Sequence, residues 1–144
     1  MIRISHTRAA VVAGAAVFFV LGGSALAVSH SPKKNVRCAN GTVRGVAAVV
    51  GETNKGMANV PDQFASTEAL FSRAFNCSGG PTQVRRVGVG IYEVRFPGSG
   101  AATALVSAPG TLASVESVAD GFRVTVYFAG SPDRQDAPFE VVAV

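Results

Sequence analysis

The stretch that decides the fold is Val84-Arg-Arg-Val-Gly-Val-Gly-Ile-Tyr-Glu-Val-Arg-Phe-Pro-Gly-Ser99, in which apolar and polar residues alternate. As a strand it places Tyr92, Val94 and Phe96 on one face and the two charged residues between them on the other. This is the pattern of a half-buried β-strand. Turn residues flank it on both sides, so the stretch predicts short strands joined by tight turns.

Similar segments recur through the rest of the chain. Asn40-Gly41 is a strong hairpin signal, with Val36–Cys38 before it and the β-branched run Thr42–Val50 after it. The chain closes on the strand-like run Pro138–Val144. With about seven to nine such segments, the sequence predicts an all-β domain, either an antiparallel β-sandwich or a small barrel.

One segment is ambiguous between helix and strand. Helical spacing relates Phe64, Glu68, Phe71 and Phe75. Alternation instead favours a short strand from Leu70 to Cys77, preceded by a loop or one helical turn. We predict the strand.

Residues 84–108 and 115–144 read as an internal repeat. Val84, Val87 and Gly90 recur as Val115, Val118 and Gly121, and the later parts are offset by one residue, which indicates an insertion such as a bulge. Two interpretations stay open: the two segments arose by duplication, or they look alike because strands and turns use few residue types.

The N-terminus has the three parts of a secretory signal in residues 1–27. Residues 1–8 are cationic, residues 9–22 are apolar, and Ala25-Leu-Ala27 is a small-x-small cleavage site. The alternative is an uncleaved membrane anchor formed by residues 9–29, which are numerous enough to span a bilayer. We expect cleavage, and therefore a secreted or cell-surface protein.

After the signal, residues 28–35 read as a flexible lead-in and residues 36–144 as a single β domain. Cleavage removes two of the 13 basic residues and none of the nine acidic ones. The remaining excess of positive charge is too small to indicate a nucleic-acid partner. The pairs Lys33-Lys34 and Arg85-Arg86 read as solvated surface charge.

The only two cysteines, Cys38 and Cys77, both belong to the predicted exported part. An even count in an oxidising compartment favours a disulfide. Two separate buried thiols are the alternative, because spacing alone does not bring the residues together.

Three pieces of the chain resemble a group of small exported all-β proteins of high-GC Gram-positive bacteria with G-x-Y-x-V-x-F strand repeats, and related repeats at the tips of fibre-like proteins. These pieces are 40–45, 87–96 and 136–142. The resemblance implies an all-β fold and, from the fibre tips, a homotrimeric assembly. It carries no activity and no functional residue over to this chain.

The sequence contains no convincing catalytic, metal or cofactor site. His30 is the only histidine after the signal and falls in the lead-in, so a nucleophile would have no positioned base. A pair of carboxylates remains open. The nine acidic residues are Glu52, Asp62, Glu68, Glu93, Glu116, Asp120, Asp133, Asp136 and Glu140. Most of them fall in turns or on outward strand positions, where solvated charge is the ordinary interpretation.

The strand Phe122–Phe128 offers the best candidate for a recognition face. Tyr127 is expected to point outward beside Arg123 and Thr125, whereas Tyr92 is expected to point inward. An ordinary cross-strand contact is the alternative.

We therefore predict a non-catalytic secreted or cell-surface β module with a structural role or a role in binding a protein or cell-envelope component. The alternatives are a carboxylate-based hydrolase that acts on envelope material and a homotrimeric fibre-tip-like assembly.

Overall fold

The structure is a computed structural model, and it describes residues 38–39, 41–52 and 55–144. The predicted signal (1–27), the alternative anchor (9–29) and the lead-in (28–35) lie outside the described residues, as do His30 and Asn40.

In the part of the chain that the structure describes, eight antiparallel strands form two four-stranded sheets that pack on each other. The strands are β1 Gly45–Val49, β2 Phe71–Asn76, β3 Gln83–Gly88, β4 Ile91–Arg95, β5 Ala104–Ser107, β6 Leu112–Val118, β7 Gly121–Tyr127 and β8 Phe139–Ala143. The first sheet has the order β2-β1-β8-β5 and the second the order β3-β4-β7-β6. The predicted all-β fold is confirmed, and the sandwich rather than the barrel is the observed form.

Alternating residues from both sheets fill the core between them. On β4 the predicted inward residues Tyr92 and Val94 are buried, and Phe96 just after the strand is buried as well. The Tyr92 ring packs on Phe139 of β8 at a centroid distance of 5.1 Å, and the Phe96 ring packs on Phe122 of β7 at 6.4 Å. The first contact joins the two sheets, and the second packs neighbouring strands of the second sheet against each other.

The ambiguous segment forms the predicted strand. A 3-10 turn at Glu68–Leu70 leads directly into β2. A register shift opposite Ala48 and Val49 separates Phe71, which packs against the core, from Arg73, which is exposed. Phe71 therefore lies on the opposite face of β2 from Arg73 and Phe75, because the extra residue at the bulge changes the strand's phase.

The two segments of the predicted repeat have the same element order. Each consists of a hairpin in the second sheet, β3–β4 or β6–β7, followed by a strand of the first sheet, β5 or β8. The register shift in this region lies between Arg86 and Gly88 of the first hairpin, whereas the β6–β7 pairing is continuous. Common ancestry of the two segments stays a prediction.

Strand β1 pairs with β2 on one side and with β8 on the other. The hairpin predicted at Asn40-Gly41 therefore does not supply a neighbour for β1, since both of its edges are already hydrogen-bonded. Gly41 does adopt a positive φ of 76°, and the Thr42 hydroxyl donates to the Ala39 carbonyl across this turn.

Cys38 and Cys77 form a disulfide bond across 39 residues of sequence. This bond is compatible with an extracellular location. The described helices are the two three-residue 3-10 turns Met57–Asn59 and Glu68–Leu70, and neither has the length or apolar character to cross a membrane.

Candidate interaction surface

The outward face of the second sheet carries a ladder of ion pairs that crosses all four strands. Glu93 on β4 lies between Arg85 on β3 and Arg123 on β7, with N–O distances of 2.6 and 2.8 Å. Arg123 also pairs with Glu116 on β6 at 3.3 Å. The hydrogen bonds from Arg123, and then those from Arg85, lower the pKa of Glu93 against the opposing effect of burial. The four charged side chains of the ladder thus satisfy one another.

Phe64 covers part of this ladder. The guanidinium carbon of Arg95 lies 3.8 Å from the centre of the Phe64 ring, and that of Arg85 lies 4.7 Å from it. Ala65, the residue after Phe64, forms backbone hydrogen bonds of 3.0 and 2.9 Å with Val84. These bonds hold the segment that carries Phe64 against the free edge of β3. Glu93 is consequently only 6% exposed although it points outward.

A second carboxylate, Asp136, organises one end of the sandwich. Arg86 donates two hydrogen bonds to it, of 3.1 and 2.8 Å, the Tyr92 hydroxyl donates one of 2.6 Å, and the Gly90 N–H donates one of 2.9 Å. Burial alone would raise the pKa of Asp136, but these donors together lower it to about 2. Burial and the bond to Asp136 raise the pKa of Tyr92. The network fastens the β7–β8 connection to β3 and β4.

The interpretation of the pair Arg85-Arg86, and of Glu93 and Asp136, as solvated charge is wrong. Arg86 lies opposite Tyr92 in the β3–β4 register, on the inward side of the sheet, so its charge is held by Asp136. Arg85 is bound to Glu93. Arg86 follows Val84 at the alternating position, and this spacing was the sequence signal that Arg86 points inward. Its acceptor, Asp136, lies 50 residues away and could not be identified from the sequence.

The predicted recognition face lies on β7, where Arg123, Thr125 and Tyr127 are all half-buried. Arg123 is engaged with Glu93 and Glu116. Thr125 lies between Ile91 and Ser114, and Tyr127 lies opposite Leu112. Recognition through these three residues stays a prediction, although the arginine is already bound within the domain.

The outward face of the first sheet differs from that of the second. Cross-strand pairing aligns four residues, one from each strand, which we call the apolar row: Phe75, Val46, Val142 and Leu105. Its two ends protrude most, since Phe75 is 44% exposed and Leu105 is 74% exposed. Among the described residues, the core cluster and the apolar side chains packed against it include none of the four.

The neighbouring row on this face carries one ion pair. Arg73 on β2 pairs with Glu140 on β8, and the two lie on either side of Ala48 on β1. The only charges of these two rows thus neutralise each other beside the apolar row.

No protein-family model matches the chain, and no curated protein or solved structure is significantly similar to it.

Two cavities bear on the carboxylate alternative. One of about 500 Å³, between the β4–β5 loop and the β6–β7 turn, has Asp120 as its only acidic wall residue. The other, of about 250 Å³, has Glu93 and Asp120 on its wall together with Arg85 and Arg123. In the second cavity Glu93 is already bound by both arginines.

Proposed function

We propose that this protein is a non-catalytic module, exported to the cell surface or the medium, that acts by binding another protein surface. The single observation that carries the proposal is the contrast between the two outer faces. One face carries an ion-pair ladder across its four strands, whereas the other presents the apolar row to solvent. Contiguous exposed apolar surface is characteristic of interaction sites.

The positions of the buried carboxylates favour binding over hydrolysis. Glu93 points out of the second sheet, whereas Asp136 binds Tyr92 on the inward side, so the two cannot act on one substrate. Both have lowered pKa values, whereas a general acid requires a raised one. The hydrolase alternative would depend on Glu93 with Asp120, and the side chain of Glu93 is only 8% exposed.

Export is supported by the three-part signal in residues 1–27 and by the disulfide between Cys38 and Cys77. Membership of the exported all-β group, and a trimeric fibre-tip-like assembly, rest only on the sequence resemblance. The ligand class we favour is a protein component of the cell envelope, because an apolar surface without unpaired charge suits a protein contact.

The test measures binding of the purified exported protein to the isolated envelope of its own host. Leu105→Asp places a charge in the apolar row, and we expect it to lower the apparent affinity at least about tenfold. The matched control is Leu112→Asp, which changes another exposed leucine, 57% exposed, on the second sheet.

Because both leucines are exposed, both variants should keep the fold, which the intact disulfide and an unchanged melting temperature would verify. Equal binding by wild type and Leu105→Asp would refute the proposed surface. Hydrolysis of envelope material that Glu93→Gln abolishes would instead establish the enzymatic alternative.

A further inference from the structure

We propose that the cavity of about 500 Å³ between the β4–β5 loop and the β6–β7 turn binds a small zwitterion, a molecule with one free carboxylate and one free ammonium group. An amino acid and a short peptide are ligands of this kind. The volume falls in the range of small-molecule sites, about 300 to 1,000 Å³. None of the four residues of the apolar row lies on the cavity wall, so this site is separate from the proposed protein contact.

Two opposite charges line the cavity without neutralising each other. In the part of the chain that the structure describes, Arg95 at the end of β4 and Asp120 in the β6–β7 turn are the charged residues of its wall. The ion pairs of that part of the chain do not include one between them. A ligand with a single charge would leave one of the two without a counter-charge, whereas a zwitterion supplies a partner to each.

Neutral groups hold Arg95 in place. Its Nε donates a hydrogen bond of 2.6 Å to the side-chain oxygen of Gln83, and its guanidinium carbon lies 3.8 Å from the centre of the Phe64 ring. The other three arginines of the second sheet each bind a carboxylate; they are Arg85, Arg86 and Arg123. Within the described residues Arg95 has no such partner, and a guanidinium binds a carboxylate well through two parallel hydrogen bonds.

The β4–β5 loop forms another part of the wall and is fixed by residues that do not line the cavity. Arg44 donates hydrogen bonds to the carbonyl oxygens of Ser99 and Gly100, at 3.1 and 2.6 Å. The Ser78 hydroxyl donates one of 2.7 Å to the Pro97 carbonyl. Because the loop is already ordered, little conformational entropy is lost there when a ligand binds.

The test is a titration of the exported, disulfide-intact protein, followed by NMR of its backbone amides. The probes are alanine and alanylalanine at up to about 20 mM, which detects dissociation constants in the millimolar range. We expect chemical-shift changes at Arg95 and in residues 97–102 and 118–121. Tighter binding of alanine would identify a free amino acid as the ligand, and tighter binding of alanylalanine a peptide.

Blocked probes test each charge on the wild-type protein. N-acetylalanylalanine lacks the ammonium group, and alanylalanine amide lacks the carboxylate. Both should bind at least about tenfold more weakly than alanylalanine, because each leaves one wall charge without its partner.

Asp120→Asn isolates the ammonium contact. Because Asp120 is exposed in a turn, the variant should keep the fold. We expect it to bind alanylalanine at least about tenfold more weakly and to leave the weak binding of the N-acetylated probe unchanged. The matched control is Asp62→Asn, which changes an exposed acidic residue away from the cavity wall and should bind like wild type.

Unchanged shifts in these residues at the highest concentration would overturn the inference. So would equal binding of the blocked and free probes, or wild-type affinity in Asp120→Asn. The blocked probes decide the matter on wild-type protein even if a variant fails to fold. A negative result leaves the proposed function standing, because Leu105→Asp tests that function on a different surface.

Discussion

At the scale of single residues, stability in the second sheet depends on carboxylates that bind several donors each. Asp136 accepts hydrogen bonds from Arg86, Tyr92 and Gly90, which belong to β3, β4 and the turn between them. Charge-assisted hydrogen bonds of this kind are stronger than neutral ones. If Asp136 lost its charge, the buried Tyr92 hydroxyl and the half-buried Arg86 guanidinium would be poorly satisfied.

Replacing Asp136 by Asn should lower the free energy of unfolding by about 2 kcal/mol. The reason is the loss of the carboxylate that Arg86 and Tyr92 share. Urea denaturation at pH 7 measures the change. Asp133→Asn is the control, because Asp133 in the same connection is exposed and, among the described residues, its side chain bonds only to Ser131. A loss of stability as large in the control as in Asp136→Asn would contradict the assignment.

The same carboxylate predicts a pH dependence. The pKa of Asp136 in the folded protein is about 2, below its ordinary value of 3.8. Its contribution is therefore complete above about pH 5 and is lost as pH falls toward 2. Denaturation midpoints measured between pH 5 and 2 should fall more steeply for wild type than for Asp136→Asn. Parallel curves would show that Asp136 does not titrate in this way.

At the scale of elements, the β3–β4 turn is tightly constrained. Gly90 has a φ of 63°, and a Cβ there would lie 2.7 Å from the Val126 carbonyl oxygen and 2.8 Å from the Gln135 backbone nitrogen. Position 90 must therefore be glycine, both because its φ is positive and because the β7–β8 connection approaches it closely.

Gly90→Ala should destabilise the protein by more than about 2 kcal/mol, because it adds a backbone clash to the cost of a positive φ. Gly110→Ala is the matched control. Gly110 also has a positive φ, of 71°, but open space surrounds its position. Thermal unfolding of the two variants separates the effects, and equal losses would show that the close approach at Gly90 does not matter.

Several elements could be predicted from the sequence because their signals are local. The alternation in β4 and β7 defined their buried faces, and the even cysteine count indicated the disulfide. Val46 and Val142, at the outward phase of β1 and β8, were a local signal for an apolar outer face on the first sheet, but we did not predict this face from the sequence.

Other features depend on contacts between distant parts of the chain. The pairing of Arg86 with Asp136 spans 50 residues, and Phe64 reaches Arg95 from a segment without clear periodicity. The bulge at β2 arises from pairing with β1 rather than from the sequence of β2 itself. Such features require the tertiary fold before they can be inferred.

At the scale of the whole molecule, the disulfide ties the beginning of the described chain to the end of β2. The two cysteines are 39 residues apart in the sequence, and the bond closes the loop between them. Such a cross-link mainly restricts the unfolded chain. In a domain of this size its contribution is a large part of the total stability.

Replacing Cys38 and Cys77 together by alanine should lower the free energy of unfolding by about 4 kcal/mol, the loop-closure contribution of such a cross-link. Chemical denaturation with and without reductant measures it. Wild type in reductant should match the double variant, because both lack the same cross-link. A loss below about 1 kcal/mol would show that the bond contributes little to the folded domain.

The central claim is that the outward face of the first sheet makes the protein's contacts. Carbene footprinting of the exported protein, with and without host envelope, tests it residue by residue. We predict reduced labelling at Phe75, Val142 and Leu105 in the envelope-bound state and unchanged labelling along β7. Protection of Arg123, Thr125 and Tyr127 with the apolar row still labelled would contradict the account and place recognition on the second sheet.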